Sequence, residues 1–213
     1  MHASVTDGTS NAQKAPMMSR VSHGPQARIG PNSVLHLVPL LDEALGNVER
    51  ERLMQLSGMT ELPSEFDLMA EEPAARLHQA LRQQHPAIAA ELTRRAGEKT
   101  GDNIIRQRIP IAAMRVMREL PAWLAGPLLA SVIAKHAWSF AGSGTFRLRS
   151  RHPLVFTLKD NPVVRGEQSK DPVCDWHVAV FEYLFREIVD SDLRCVETQC
   201  CAAGADTCRF EIS

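Results

Sequence analysis

The chain has 213 residues, 24 Lys or Arg against 25 Asp or Glu, a formal net charge of −1 and a pI near 6.7. That length holds one domain with a substantial core and is short for two. The near-neutral balance excludes a protein built to grip a phosphate backbone, so no nucleic acid is expected as a partner.

Residues 1–30 are rich in Ser, Gly, Pro, Ala and Thr, with few large apolar groups, and read as a disordered tail. From Ser33 onward Val34, Leu37, Val38, Leu41 and Leu45 recur at helical spacing, which predicts an amphipathic helix that breaks near Gly46 or continues to Leu56. Helix formers fill the stretch from Glu65 to Gly97. Pro73 and Pro86 suit helix starts and Gly97 suits a stop, so two helices are expected there, separated near His85. A further helical region is expected from about Asp102 to Ser139, with Pro110, Pro121 and Pro127 each at a first-turn position. The helical N-terminal region is therefore taken as 31–100, and the rest of the chain, 101–213, as the functional domain.

After Gly142 the pattern changes to alternation. Phe146 and Leu148 alternate with Arg147 and Arg149, the triplet Arg151, His152 and Pro153 breaks the run, and Leu154 to Leu158 resumes it, which predicts a hairpin. Gly142 and Gly144 suit a tight turn from helix to strand. Asp171 and Pro172 suit the N-cap and first turn of a helix running from Val173 to Val189, and Leu193–Gln199 and Thr207–Ile212 read as two more strands. On that helix Asp175, Glu182, Arg186 and Asp190 share one narrow stripe and most other directions are apolar. It therefore needs a second apolar partner besides its sheet: other helices, a ligand pocket or a second subunit.

Five cysteines, four of them between Cys195 and Cys208, fit a reduced metal-binding set better than a secreted disulfide framework. A hairpin would bring Cys200 and Cys208 together, with Glu197 near the end of the same strand, and Cys174 would arrive from the start of the long helix. The helix N-terminus favours its thiolate. Three thiolates and a carboxylate complete a tetrahedral zinc set with no position left for a catalytic water, so the metal is read as structural. Arg194 and Arg209 are available to offset the negative charge. The plain alternative is that these are buried apolar cysteines. Cys195 and Cys201 rank as spare thiols.

The order Cys174-Asp-Trp-His, then Glu197 and Cys200, then Ala203-Gly204 and Cys208-Arg-Phe resembles the 4-vinyl-reductase domain, a small-molecule-binding module also found in phenol-sensing transcription activators. Similarity to the 4-vinyl-reductase proteins of bacteriochlorophyll synthesis extends over about residues 90–213, through RRAGEKTGDNIIRQRIP and LPAWLAGPLLASVIAKHAWSFAGSGTF. The resemblance implies zinc at Cys174, Glu197, Cys200 and Cys208. It also implies an α+β fold of the Bet3 type, an antiparallel sheet covered by helices, with an apolar ligand pocket and a homodimer.

The family name implies reduction of a vinyl group, yet the chain has no GxGxxG after a strand, no Walker-type loop, and no cysteines free for an iron–sulfur cluster. The favoured expectation is an accessory protein that binds or carries a magnesium tetrapyrrole such as divinyl protochlorophyllide. The alternatives are an 8-vinyl (4-vinyl) reductase using an external electron donor, and a ligand-sensing regulatory module. His136, Trp138 and Phe140, with Trp176 and His177, are the candidate pocket residues, each also readable as ordinary core or surface. Arg147, Arg149 and Arg151 read as a solvated strand face or a contact for propionates or another protein. Enzymes of bacteriochlorophyll synthesis are the expected partners. No run is long and apolar enough to span a bilayer and no secretory leader is visible, so the expected place is the cytoplasm, with peripheral contact at the photosynthetic membrane open.

Overall fold

The computed structural model describes residues 27–213. Most of the expected tail of 1–30 lies outside the described residues. Its last part forms a short strand, β1 (Arg28–Ile29), paired antiparallel with β2 (Met69–Ala70).

Three short helices follow β1: α1 (Asn32–Leu35), α2 (Val38–Leu45) and α3 (Asn47–Ser57). Gly46, at φ 81°, separates the last two, so the chain breaks there and restarts instead of running through to Leu56. Beyond β2 come α4 (Glu71–Gln84) and α5 (Pro86–Arg108), divided at His85 as the sequence predicts. The expected stop at Gly97 is wrong: α5 continues for three more turns and crosses residue 100, where the domain boundary was placed. Gly97 is there because another helix needs the space.

Next are α6 (Ile111–Glu119), α7 (Ala122–Lys135) and α8 (Trp138–Ala141). Pro110 and Pro121 sit at the N-caps of α6 and α7, close to the first-turn positions expected. Pro127 instead lies inside α7. Its missing N–H cannot reach the Trp123 carbonyl, and Trp123 is exposed, so water can take that place.

The hairpin is present as β3 (Thr145–Arg151) and β4 (Leu154–Lys159), with a bulge between Leu148 and Ser150. The long helix α9 spans Asp175–Ile188, starting two residues later than expected, with Cys174 and not Asp171 as N-cap. β5 (Cys195–Gln199) and β6 (Thr207–Ile212) complete one antiparallel sheet in the order β3-β4-β6-β5. The fold is α+β, a four-stranded antiparallel sheet covered by helices.

The many-sided apolar surface of α9 is buried between two partners. One is the sheet, where Phe181 lies 5.1 Å from Phe156 and 5.3 Å from Phe210, ring centre to ring centre. The other is α5, where Gly97 and Gly101 admit the α9 backbone and Tyr183. Trp176 closes this contact by donating its Nε1–H to the Thr100 hydroxyl at 3.2 Å. Burial of side chains as large as Phe156, Phe181, Phe185 and Phe210, each worth about 1.5–3 kcal/mol, makes this packing the main hold on α9.

Candidate metal centre and apolar cavity

Cys174, Glu197, Cys200 and Cys208 meet at one end of α9, each offering a ligand atom, with all four atoms within 4.8 Å of one another. The chain arranges this locally in three ways. Cys174 caps α9. Glu197 precedes a register slip in the β5–β6 ladder, between Glu197 and Gln199. Cys200 and Cys208 flank a short 3-10 turn, Cys201–Ala203, closed by Gly204 in the left-handed region at φ 87°.

The Cys174 Sγ lies 3.8 Å from the Cys200 Sγ and 3.6 Å from the Cys208 Sγ. Both separations are far beyond a disulfide bond of about 2.05 Å. They match the edge of about 3.8 Å that four ligands make in a tetrahedron around zinc with Zn–S of about 2.3 Å. Glu197 Oε2 accepts the Cys174 backbone N–H at 2.8 Å, while Glu197 Oε1 is buried with no partner among the described residues. A buried carboxylate oxygen left without a donor is costly unless a cation or proton meets it. The donor set therefore fits a divalent ion of the zinc type.

The surroundings stabilise sulfur charge with N–H groups and not with the expected arginines. Arg194 donates to the carbonyls of Ser191, Asp192 and Leu193, and Arg209 pairs with Glu211. Instead the Asn161 Nδ2 donates to Cys174 Sγ at 3.3 Å and to Cys208 Sγ at 3.5 Å, and the Cys201 backbone N–H donates to Cys208 Sγ at 3.4 Å. Asn161 was not foreseen. Its only local sign is the Asn-Pro turn, in which its Oδ1 accepts the Val163 N–H at 3.1 Å.

Without a cation the four acids share little charge. Burial pushes the Cys174 thiol up and the Glu197 carboxyl to about 8. Hydrogen bonds from the Cys174 and Cys208 thiols pull Cys200 down, so a single thiolate serves the three sulfurs. Cys195 and Cys201 stand apart from the cluster. Cys195 is buried on β5 and its thiol is raised by burial; Cys201 is half-buried, its Sγ 4.0 Å from the Leu158 carbonyl oxygen.

A second feature lies between α5, α7, α8 and α9. It is a largely apolar cavity of about 190 Å³ whose walls include Ile104, Leu129, Ile133, Phe140, Val180 and Phe181. His136, Trp138 and Phe140 line it, and Arg108 and Val132 stand at it as well. The His136 Nδ1–H donates to the Val132 carbonyl at 2.9 Å, which fixes the tautomer and leaves the Nε2 lone pair available. Trp138 is half exposed.

Trp176 and His177 do not line this cavity. Trp176 is turned toward α5 by its bond to Thr100, and His177 is buried among Trp176, Phe140, Phe181 and Phe210. Neither His177 ring nitrogen has a partner, and burial pushes the imidazole down to about 4, so it is neutral core.

Comparison with known proteins places the chain. The 4-vinyl-reductase domain family matches residues 154–213, which hold all four convergent ligands. The bacteriochlorophyll synthase 23 kDa chain of Cereibacter sphaeroides is 46% identical over 195 residues, 91% of this chain and 95% of that one. The protein of the same name from Rhodobacter capsulatus is 40% identical over 91% of this chain and 92% of its own. Among solved structures, an H-NOX protein from S. oneidensis in the Fe(II)NO state aligns with TM-score 0.56 at 10% identity, covering 87% of this chain and 98% of that one. An Fe(II) unliganded H-NOX protein from K. algicida aligns with TM-score 0.53 at 11% identity, covering 87% and 96%. These two show a shared fold. Identity this high over nearly the full length of two relatives decides membership: the chain belongs to the bacteriochlorophyll synthase 23 kDa chain family of the bacteriochlorophyll pathway.

Proposed function

We propose that the protein binds and carries a magnesium tetrapyrrole of bacteriochlorophyll synthesis, such as divinyl protochlorophyllide, in the cavity bounded by α5, α7, α8 and α9. The observation that carries this reading is His136. Its Nδ1–H is committed to the Val132 carbonyl, so Nε2 stands at an apolar cavity as a neutral imidazole donor, the form that ligates a metal. Arg108, also at the cavity, has no carboxylate partner among the described residues and suits a propionate. The fold gives further support, being shared with H-NOX proteins described for the distortion of their heme.

At about 190 Å³ the cavity is smaller than the roughly 300–1,000 Å³ usual for small-molecule sites, so a macrocycle enters only if a wall moves. The wall with least to lose is the end of α5. Arg108 and Ile109 line the cavity there, and α6 beyond them buries none of its side chains. The unit 101–213 is read as the pigment-binding module, with the helices of 31–100 covering its α5 side.

Zinc held by Cys174, Glu197, Cys200 and Cys208 would be structural, tying the start of α9 to the last hairpin and contributing on the order of 10 kcal/mol to folding. In this reading no redox chemistry is asked of the four ligands. Elemental analysis of never-chelated protein is expected to find one zinc per chain, lost in Cys208→Ser.

The deciding experiment is titration with divinyl protochlorophyllide followed by mass spectrometry of the recovered pigment. A carrier gives a shifted absorption spectrum, an intact 8-vinyl group under every donor supplied, and affinity reduced about ten- to a hundredfold in His136→Ala, the worth of one strong polar contact. Conversion to the ethyl product would make the protein a reductase. Failure to bind would remove the tetrapyrrole from this cavity.

A further inference from the structure

The charge of this chain is unevenly distributed. From Asn103 to Lys159 there are nine Lys or Arg and one acid, Glu119, within a protein whose net charge is −1. Among the described residues Arg108, Arg115, Lys135, Arg147, Arg149 and Arg151 have no carboxylate within ion-pair distance. The same stretch holds a concentration of exposed large apolar side chains. Leu124, Leu128 and Val132 follow at four-residue spacing on α7, 37–48% exposed, so they form one stripe. Trp123 stands at its start and Trp138 beyond its end, both more than half exposed. Lys135 continues the stripe. α7 packs beside β3, whose solvent face carries Arg147, Arg149 and Arg151.

An apolar stripe with tryptophans at its ends and cations along its border has the composition of a surface that enters a lipid headgroup layer. We infer that the α7 stripe, with Trp123, Trp138 and the arginines of β3, is a docking surface for an anionic lipid bilayer, and that the apolar cavity opens onto it. The second half follows from Val132 and Trp138, which belong to both the stripe and the cavity wall. A greasy guest could then pass between bilayer and cavity without crossing water. That role of the opening rests on the tetrapyrrole reading, whereas the docking surface itself does not. A second copy of the chain is a poorer occupant, because a two-fold contact would set this row of unpaired cations against itself.

The test uses the full chain without pigment. It should float with vesicles of phosphatidylglycerol and phosphatidylcholine in about equal parts, not with phosphatidylcholine alone, and should release in high salt. At about fivefold per cation near the surface, Arg147→Gln with Arg149→Gln should weaken binding about 25-fold. Trp123→Ala with Leu128→Ser should weaken it at least about tenfold, and Val48→Ser, exposed on α3, should stay within about twofold. Circular dichroism should be unchanged in all of them. No vesicle binding, equal binding to neutral vesicles, or binding indifferent to these changes would overturn the inference. So would a fall in the elution mass of lipid-free protein on Leu128→Ser, which would assign the face to a second copy. If vesicles bind and pigment does not, the docking surface stands and the tetrapyrrole reading fails.

Discussion

An alanine Cβ at Gly97 would lie 2.6 Å from the Trp176 carbonyl oxygen and 2.7 Å from the Ala179 Cβ. One turn later a Cβ at Gly101 would meet the Tyr183 ring at 2.7 Å. α5 thus presents two glycines to α9, each costing about 1 kcal/mol of helix propensity and each allowing the helices to approach closely. The approach sets Trp176 against Thr100 and so places the start of α9, where Cys174 stands.

Gly97→Ala should therefore destabilise the protein although alanine is the better helix former. Forcing a methyl into this contact costs about 1–3 kcal/mol, and for a chain of this size that lowers Tm by roughly 2–10 °C. Thermal unfolding followed by far-ultraviolet circular dichroism measures it. A Tm equal to or above that of the parent would mean that α9 does not touch α5 at this point.

Asn161 gives a test of the sulfur environment separate from the ligands. Asn161→Asp keeps an oxygen for the Val163 N–H but replaces the amide donors facing Cys174 and Cys208 with an anion. If zinc occupies the site, affinity should fall about 10–100-fold, as for other partners of metal ligands. Competition against a chromophoric chelator reads this out, with zinc-saturated circular dichroism as the check on folding. Equal affinities would show that the amide does not support the sulfurs.

These two residues also mark what the sequence could and could not convey. Local spacing made Cys200, Cys208 and Glu197 legible, because a hairpin register follows from strand and turn signals, and the shift from 3.6-residue to two-residue periodicity at Gly142 announced the sheet. Gly97 was misread because a glycine at a helix end and a glycine at a helix crossing look alike until the partner, Trp176, is in place. Asn161 was missed because only the folded sheet carries the end of β4 to the start of α9. Trp176 and His177 shared the aromatic, polar-tipped chemistry of the pocket candidates, and their side of the helix decided against them.

Arg82 on α4 forms a nearly buried pair with Glu167 and also donates to the Val163 and Val173 carbonyls. It holds the loop that leads to Cys174. Arg82→Met leaves the Glu167 carboxylate and two carbonyls without their donor, and breaking such a pair costs about 3–5 kcal/mol. Arg82→Met with Glu167→Leu removes the stranded charge and should recover more than half of that loss. Urea unfolding of the parent, both single variants and the double variant gives the coupling. An additive result would remove the pair from the account of how this loop is held.

His78 should contribute to loss of stability in acid. It is fully buried on α4, its Nε2–H donates to the Ser33 carbonyl at 3.1 Å, and its Nδ1 has no partner among the described residues. Burial, with Arg82 nearby, pushes its pKa from 6.5 down to about 3. In the unfolded chain the same ring takes a proton near its ordinary value, so between these limits the unfolded state binds more protons and stability rises with pH. The stabilisation is complete above pH 6.5 and is lost as pH falls toward the folded value, at a slope approaching about 1.4 kcal/mol per pH unit for this one group. His78→Gln retains a donor for Ser33 and removes the titration. Urea midpoints measured from pH 7 to about pH 4.5 should therefore fall less steeply in the variant, the two curves diverging only below about pH 6.5. Parallel curves over that range would mean that His78 takes up its proton equally well in the folded protein, and hence that water reaches Nδ1.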